Sequence, residues 1–332
     1  MTSVSLLGTA SYMPTNVVQN DFFTAEGASQ SPMFKGAKTR HHVSEEESAA
    51  FMIEQAALRL ANKLNLDLNR DVDILLTNVT CLDVPFLGAG ASVARRLGIN
   101  PRWTLDLHNA GCVSFIYMMK VARALIQSGE AKTALICNVQ NAAGRVFSHP
   151  DLRDRPQSAI PGDGCGVGFL AASDVAPIQS ICSHSFPQYA DDMQVVTDAK
   201  EEWWAPRAGP LYIDFSENKV GSIVMRGNRM VPEVMSEACK EAGITSGDIK
   251  VMVTNQPNQV FLRNWREAML LPKERHINTY EEHGNLFGAA IPISIERVLE
   301  QNLLSRGDHL VLGGFSHAGD YSASAVIEWN QY

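Results

Sequence analysis

Residues 103–139 read WTLDLHNAGCVSFIYMMKVARALIQSGEAKTALICNV. The run WTLDL has the β-rich apolar character of a strand. Ala110 and Gly111 are small and permit a tight turn, and Cys112 follows directly. Val113–Ser128 then carries apolar residues at helical spacing, with Gly129 placed to cap the helix C-terminus. Thr133–Val139 (TALICNV) is a second buried strand. A strand, turn, helix and strand in this order predict an α/β protein with mostly parallel buried strands. They also place the Cys112 thiol at a helix N-terminus. There the positive end of the helix dipole and free N–H groups favour thiolate, so Cys112 is the candidate nucleophile.

The same alternation continues outward. Val4–Gly8 reads as a first strand, Ser48–Leu64 as a helix and Asp73–Val79 as a strand. Two helix-to-strand joints then repeat at one common displacement. DVDILLTNVT (71–80) is echoed by DIKVMVTNQP (248–257), and SGEAKTALICNVQ (128–140) by SRGDHLVLGGFSH (305–317). The echo predicts an internal duplication, with halves 1–174 and 175–332 meeting after the strand-like Val167–Ala172. Residues 183–218, with His184, Pro187, Trp203, Trp204 and Pro206, lack periodicity and read as an irregular cap or surface excursion.

The 332 residues exceed what one hydrophobic core usually supports, and 45% hydrophobic against 19% charged residues supply a large core. A net charge of −8 and a pI near 5.6 argue against nucleic acid as the main partner. No stretch approaches the roughly 18 apolar residues of a membrane span, and the first residues read as a strand rather than a secretory signal. The 6 cysteines form no C-x-x-C pair, which disfavours a zinc site or a disulfide framework and fits a reducing, cytoplasmic setting.

Three further stretches carry chemistry. GDGCGVGF (162–169) has nucleotide-loop spacing but leads into a strand, so phosphate cradling by a helix N-terminus is rejected. EEHGNLFGAAIPISIERVLEQ offers His283 and Asn285 before a helix. The duplication sets this stretch opposite Cys112, which nominates His283 as the base. LGGFSHAGDYSASAVIEW contains Gly313, Gly314, His317 and Asp320. Gly313 could give an N–H to an oxyanion hole together with Cys112, and Asp320 could orient the histidine.

These motifs, in this order over nearly the whole chain, resemble the ketoacyl-acyl-carrier-protein synthase III family of the thiolase superfamily. LLGTASYMPTNVV, KTRHH, NAGCVSFIYMMKVARALIQSG, IPGDGCGVGFLAA, TNQPN, HGNLFGAAIPISI and GGF carry the resemblance. It implies a five-layered αβαβα thiolase-like fold, a homodimer, and a cysteine acylated from coenzyme A or a carrier protein. Two departures stand out. Asn255-Gln256-Pro257-Asn258 replaces the His-Gln-Ala-Asn of condensing members, so the decarboxylation histidine is lost while Asn285 matches its partner. QSPMFK (30–35) lacks the family's coenzyme A-stacking Trp and the Arg that follows it.

A Cys112–His283–Asp320 set resembles the subgroup that esterifies instead of condensing. The leading expectation is therefore an acyltransferase of secondary, polyketide-type metabolism. It would move an acyl group from a coenzyme A or carrier-protein thioester, through acyl-Cys112, to a hydroxyl or amine. No bound cofactor or metal is needed. Arg263 and Arg266 are candidates for carrier docking. A carbon–carbon bond-forming synthase and a non-catalytic partner subunit are the alternatives. Phe86, Leu87, Phe115 and residues 183–218 are expected to set the acyl pocket.

Overall fold

The computed structural model describes residues 2–23, 37–108, 110–197, 202, 205, 209–215 and 219–331. In chain order the strands are β1 (Val4–Tyr12), β2 (Asn16–Gln19), β3 (Thr39–His42), β4 (Ile74–Val79), β5 (Trp103–Asp106), β6 (Thr133–Gln140) and β7 (Gly164–Ala172). They continue as β8 (Ile178–Ser185), β9 (Met193–Val196), β10 (Tyr212–Phe215), β11 (Ile249–Thr254), β12 (His276–Ile277), β13 (Asp308–Ser316) and β14 (Tyr321–Trp329). The helices are α1 (Ala49–Leu64), α2 (Leu68–Asp71), α3 (Gly90–Leu97), α4 (Ser114–Gln127), α5 (Val220–Glu241), α6 (Gln259–Ala268), α7 (Tyr280–His283) and α8 (Ala290–Glu300).

Two five-stranded sheets share one plan. The first runs β1-β7-β6-β4-β5 and the second β8-β14-β13-β11-β12. In the first, β4 pairs parallel with β5 and β6, while β7 is antiparallel to both β1 and β6. The second repeats this, with β11 parallel to β12 and β13, and β14 antiparallel to β13 and β8. The sheets are thus mixed rather than mostly parallel. The reason is local: β13 and β14 are joined by a short turn, which forces antiparallel pairing, and β7 takes the corresponding place.

Helices α1 and α3 cover the outer face of the first sheet, α4 and α8 lie between the sheets, and α5 with α6 covers the outer face of the second. This is the expected αβαβα layering. On α4, Phe115, Ile116, Met118, Met119 and Ala122 are fully buried. Burying each large side chain contributes about 1.5–3 kcal/mol, so α4 is held firmly between the sheets. The fit is close: a Cβ on Gly168 of β7 would stand 2.8 Å from the Phe115 ring. Ser48 caps α1 by accepting the Phe51 N–H at 3.1 Å, and Gly129, at φ +82°, closes the end of α4.

GVGF enters β7, as its strand-like reading required. Residues 183–218 are more regular than their sequence indicated, because β9 and β10 pair as an antiparallel ribbon. Trp203, Trp204 and Pro206 lie outside the described residues, as does 30–35.

Candidate active site

β5 delivers the chain to a turn in which Ala110 (φ +66°) and Gly111 (φ +35°) are both left-handed. Gly111–Val113 forms one 3₁₀ turn, and α4 starts at Ser114. Ser114 Oγ donates to the Gly111 carbonyl at 2.7 Å and receives Asn138 Nδ2 at 2.6 Å, which ties the turn to β6. In the other half, Phe287–Ala289 forms the matching 3₁₀ turn before α8. The two turns touch: a Cβ on Gly288 would stand 2.6 Å from Ser114 Oγ and 2.8 Å from the Gly111 carbonyl. Two helix N-termini therefore meet, as the duplication implied.

The histidine that lies beside the Cys112 turn and pairs with Asp320 is His317, not His283. The turn from β13 to β14 places His317 Nδ1 at 2.9 Å from Asp320 Oδ2. Its Nε2 faces Gly111, where a Cβ would be only 2.8 Å away. Asp320 is nearly buried and His317 about a third exposed, so the pair opens on one side. Arg226 braces the turn by donating to the Ala318 carbonyl from Nε at 2.9 Å and Nη2 at 2.6 Å. Three non-glycine residues of this site, Ala110, Phe287 and His317, hold positive φ, a concentration of strain typical of functional turns.

His283 goes elsewhere for a stated reason. Its helix α7 is stitched to the β3 edge, with Lys38 N–H donating to the Glu281 carbonyl at 2.7 Å and Thr39 Oγ1 to the Glu282 carbonyl at 2.7 Å. Gly284, at φ +67°, then turns the chain before Asn285. The His283 ring packs on His41 with centroids 5.1 Å apart and does not meet Asp320, whose carboxylate takes His317. Burial holds its pKa down at about 4, with the neighbouring His41 adding to the shift. The sequence signal for His317 was the H-x-x-D spacing in a short turn; the pseudosymmetry argument selected His283 instead, before α8 rather than after β13.

Around the thiol, burial pushes the Cys112 pKa up to about 12, and the Asp320 charge adds to the rise. Hydrogen bonds from Asn255 and from the N–H groups of Cys112 and His317 oppose it. The helix-terminus effect alone thus does not yield a thiolate here; desolvation outweighs it, and a base must take the proton. Gly313 lies inside β13 in register with Thr254 and Ser324. Asn285 accepts the Phe287 N–H at 3.1 Å and holds the second turn. Asn255, fully buried, exchanges two hydrogen bonds with Phe315. Arg263 and Arg266 sit on α6, each facing Glu267.

Phe86 and Leu87 are exposed and line a cavity of about 160 Å³ with Thr77, Leu107 and His108, on the segment leading to Cys112. Phe115 is instead a core residue beneath Gly168. A larger cavity of about 620 Å³ is lined by Phe22, His42, Gly144 and Ser148 among others, and none of the Cys112 group reaches it. Among the described residues, Cys182, Glu237 and Glu241 are the donor set close enough to share a metal ion, all within 4.8 Å. None of Cys112, His317 and Asp320 belongs to it.

Residues 105–186 match the sequence model described as 3-oxoacyl-[acyl-carrier-protein] synthase III, and residues 239–329 match the model of its C-terminal part. A β-ketoacyl-[acyl-carrier-protein] synthase III from Xanthomonas axonopodis pv. citri is 26% identical over 334 residues, covering 98% of each chain. The β-ketoacyl-[acyl carrier protein] synthase III of Thermus thermophilus has the same fold, with a TM-score of 0.84 at 24% identity over 99% of this chain and 100% of that one. The priming β-ketosynthase of a polyketide biosynthetic pathway superposes with a TM-score of 0.86 at 20% identity, covering 99% and 97%.

Proposed function

Since this chain belongs to the 3-oxoacyl-[acyl-carrier-protein] synthase III family and is thus a transferase of acyl groups, we propose that it joins an acyl group held on Cys112 to a carbon acid deprotonated by His317. The observation that carries this reading is the His317 imidazole, anchored at Nδ1 by Asp320 with Nε2 turned to the Cys112 turn. Carbon–carbon bond formation replaces the transfer to oxygen or nitrogen that the sequence favoured, because the curated relatives are β-ketoacyl-[acyl-carrier-protein] synthases by name, and a β-ketoacyl product needs a new carbon–carbon bond.

The chemistry runs in two halves. His317 Nε2 takes the thiol proton, and the Cys112 sulfur attacks a thioester carbonyl. The N–H of Cys112 holds the oxyanion; Gly313, expected beside it, is instead tied into the ladder with β11 and faces Met235 of α5. The carrier thiol leaves with the proton from His317, and acyl-Cys112 remains. His317 then removes an α-proton from the acceptor, with Asp320 stabilising the imidazolium. The carbanion attacks acyl-Cys112, the carbon–carbon bond forms, and sulfur leaves to regain its proton from His317.

The donor in this proposal is a coenzyme A or carrier-protein thioester. Relatives named for acyl carrier protein support the latter, with Arg263 and Arg266 as its docking residues. A homodimer in the cytoplasm remains part of the proposal; among the described residues no helix is long and apolar enough to cross a membrane. A second reading, acyl transfer to a hydroxyl or amine in secondary metabolism, is favoured by Asn255. It stands where condensing members carry the decarboxylation histidine, and the same base would activate an alcohol.

Intact-protein mass spectrometry with acyl thioesters tests the first half. The expected result is an acyl adduct that is absent in Cys112→Ala. Incubation of the acyl-enzyme with a β-keto thioester then tests the second. A product that carries the acyl group on carbon, identified by its fragmentation in the mass spectrometer, supports condensation; an oxygen ester formed with an added alcohol overturns it in favour of the second reading.

A further inference from the structure

We propose that Cys182, His184, Glu237 and Glu241 form a binding site for a thiophilic divalent cation of the zinc type, which clamps β8 to α5. The site lies apart from Cys112, His317 and Asp320, and the inference does not depend on their roles.

Two elements supply the donors, each through its own periodicity. On β8, Cys182 and His184 are two residues apart, so both project from one face of the strand. That face looks at α5: Ser180, two residues earlier, gives its hydroxyl to the Ala238 carbonyl at 2.7 Å. On α5, Glu237 and Glu241 are four residues apart and share one side of the helix. Where the two faces meet, the Cys182 sulfur and an oxygen of each glutamate lie within 4.8 Å of one another. His184 Nε2 joins from the strand, 2.6 Å from Glu237 Oε2. A strand pair and a helix pair need no C-x-x-C spacing, which is why cysteine spacing alone disfavoured zinc.

The charges point to a cation. Two carboxylates converge on a sulfur that is 4% exposed. Among the described residues, no lysine or arginine nitrogen comes within 4.0 Å of either carboxylate, and Glu237 pairs with His184. Lys120 gives its ammonium to Ser183 Oγ at 2.7 Å, and Arg123 acts on Glu241 from farther away. A divalent ion supplies the missing charge. Thiolate and imidazole beside carboxylates suit zinc, whereas magnesium and calcium take oxygen ligands. Zinc bonds of about 2.0–2.3 Å are reached by rotating the half-exposed imidazole and the exposed glutamates, while the buried sulfur stays in place.

Binding forms one sulfur–metal bond and breaks one S–H bond. Burial, and then the Glu241 and Glu237 carboxylates, raise the Cys182 thiol to about 12, so its proton is released to solvent as the metal enters. The clamp has a consequence for the fold. β8 is the edge strand of its sheet and pairs with β14, which leaves the turn that carries His317. α5 carries Arg226, which braces that same turn through the Ala318 carbonyl. A metal between β8 and α5 thus ties the two supports of the turn together.

The test is titration of the reduced, metal-free full chain with Co²⁺, followed by displacement with Zn²⁺. Cobalt bound to a thiolate in a four-coordinate site gives a sulfur-to-metal charge-transfer band and d–d bands in the visible, and Zn²⁺ abolishes both. We expect these bands in the wild-type chain and in Cys112→Ala, a proton released with each Zn²⁺ bound, and a higher melting temperature with Zn²⁺. Cys182→Ser should lose the charge-transfer band. Glu237→Gln and His184→Ala should weaken Zn²⁺ binding by about 10–100-fold. These two changes lie at exposed or half-exposed positions and decide the matter if Cys182→Ser does not fold. A wild-type chain without the cobalt bands overturns the proposal, as do wild-type bands in Cys182→Ser or wild-type affinity in both Glu237→Gln and His184→Ala. Displacement of Zn²⁺ by an equal concentration of Mg²⁺ overturns it too.

Discussion

At the scale of single residues, the site turns on which histidine meets Asp320. His317 does so through Nδ1, which leaves Nε2 on the side of the Cys112 turn, where the proposed proton exchange would take place. Because burial pushes the Cys112 thiol up to about 12, little thiolate exists without that acceptor at neutral pH. His317→Ala should lower the rate of acyl-Cys112 formation by about 10²–10⁴-fold, measured by stopped-time mass spectrometry. Asp320→Asn should share much of that loss, since it no longer fixes the tautomer. His283→Ala should acylate at a near wild-type rate; a loss as large as that of His317→Ala would return the base to His283.

The elements explain why these side chains hold their places. The β13–β14 turn is braced by Arg226, which also pairs with Asp192 at 2.8 Å, both nearly buried. Arg226→Met removes the two bonds to the Ala318 carbonyl and leaves Asp192 to Lys219 alone. We expect a loss of roughly 2 kcal/mol in urea unfolding and a fall in kcat that exceeds any change in KM. On the other side, Asp163 precedes β7 and gathers three backbone N–H groups, from Val43, Ala143 and Gly144, at 2.7–2.8 Å. It joins the β3 edge to the segment after β6. Asp163→Asn cannot accept all three and should cost roughly 2–3 kcal/mol, read as a lower urea midpoint. Gly168→Ala should cost about 1–3 kcal/mol by forcing the Phe115 ring away from β7.

For the whole molecule, acid stability follows from histidines buried in the neutral form. His276 is held in place on both sides of its ring: Nδ1 faces the Leu262 carbonyl at 3.2 Å and Nε2 the Thr254 hydroxyl at 2.9 Å. Burial lowers its pKa to about 3, and burial also lowers His42 and His283 to about 4. In the unfolded chain these groups protonate near the ordinary histidine value of about 6.5. Stability from them is therefore complete above that pH and is lost as pH falls toward 4, where the unfolded chain binds more protons. Each group contributes a slope of up to about 1.4 kcal/mol per pH unit. Urea midpoints measured from pH 7 down to about 5 should fall accordingly, and His276→Asn should flatten the slope. A flat midpoint across that window would show that the histidines are protonated in the fold.

Much of this was legible in the sequence where local rules suffice. Periodicity and the Gly129 cap fix α4, the strand–turn–helix order places Cys112 at its N-terminus, and the echo of 71–80 in 248–257 matches β4 and β11, which hold corresponding places in the two sheets. The antiparallel β7 and β14 were not legible, because a buried apolar strand reads alike in either direction. Nor was the base. His283 and His317 both lie in polar turns, and their separation along the chain does not say which ring meets a carboxylate. Contacts distant in sequence decide that: the β3 edge draws α7 and His283 onto His41, while Asn255 and Arg226 hold the β13–β14 turn against Gly111. The sequence by itself determined the elements and nominated Cys112 as the candidate nucleophile, since both readings depend on neighbours within a few residues. Only the tertiary structure selected His317 and turned the Asn255 amide, because hydrogen-bond partners some 60 residues apart must first be brought together.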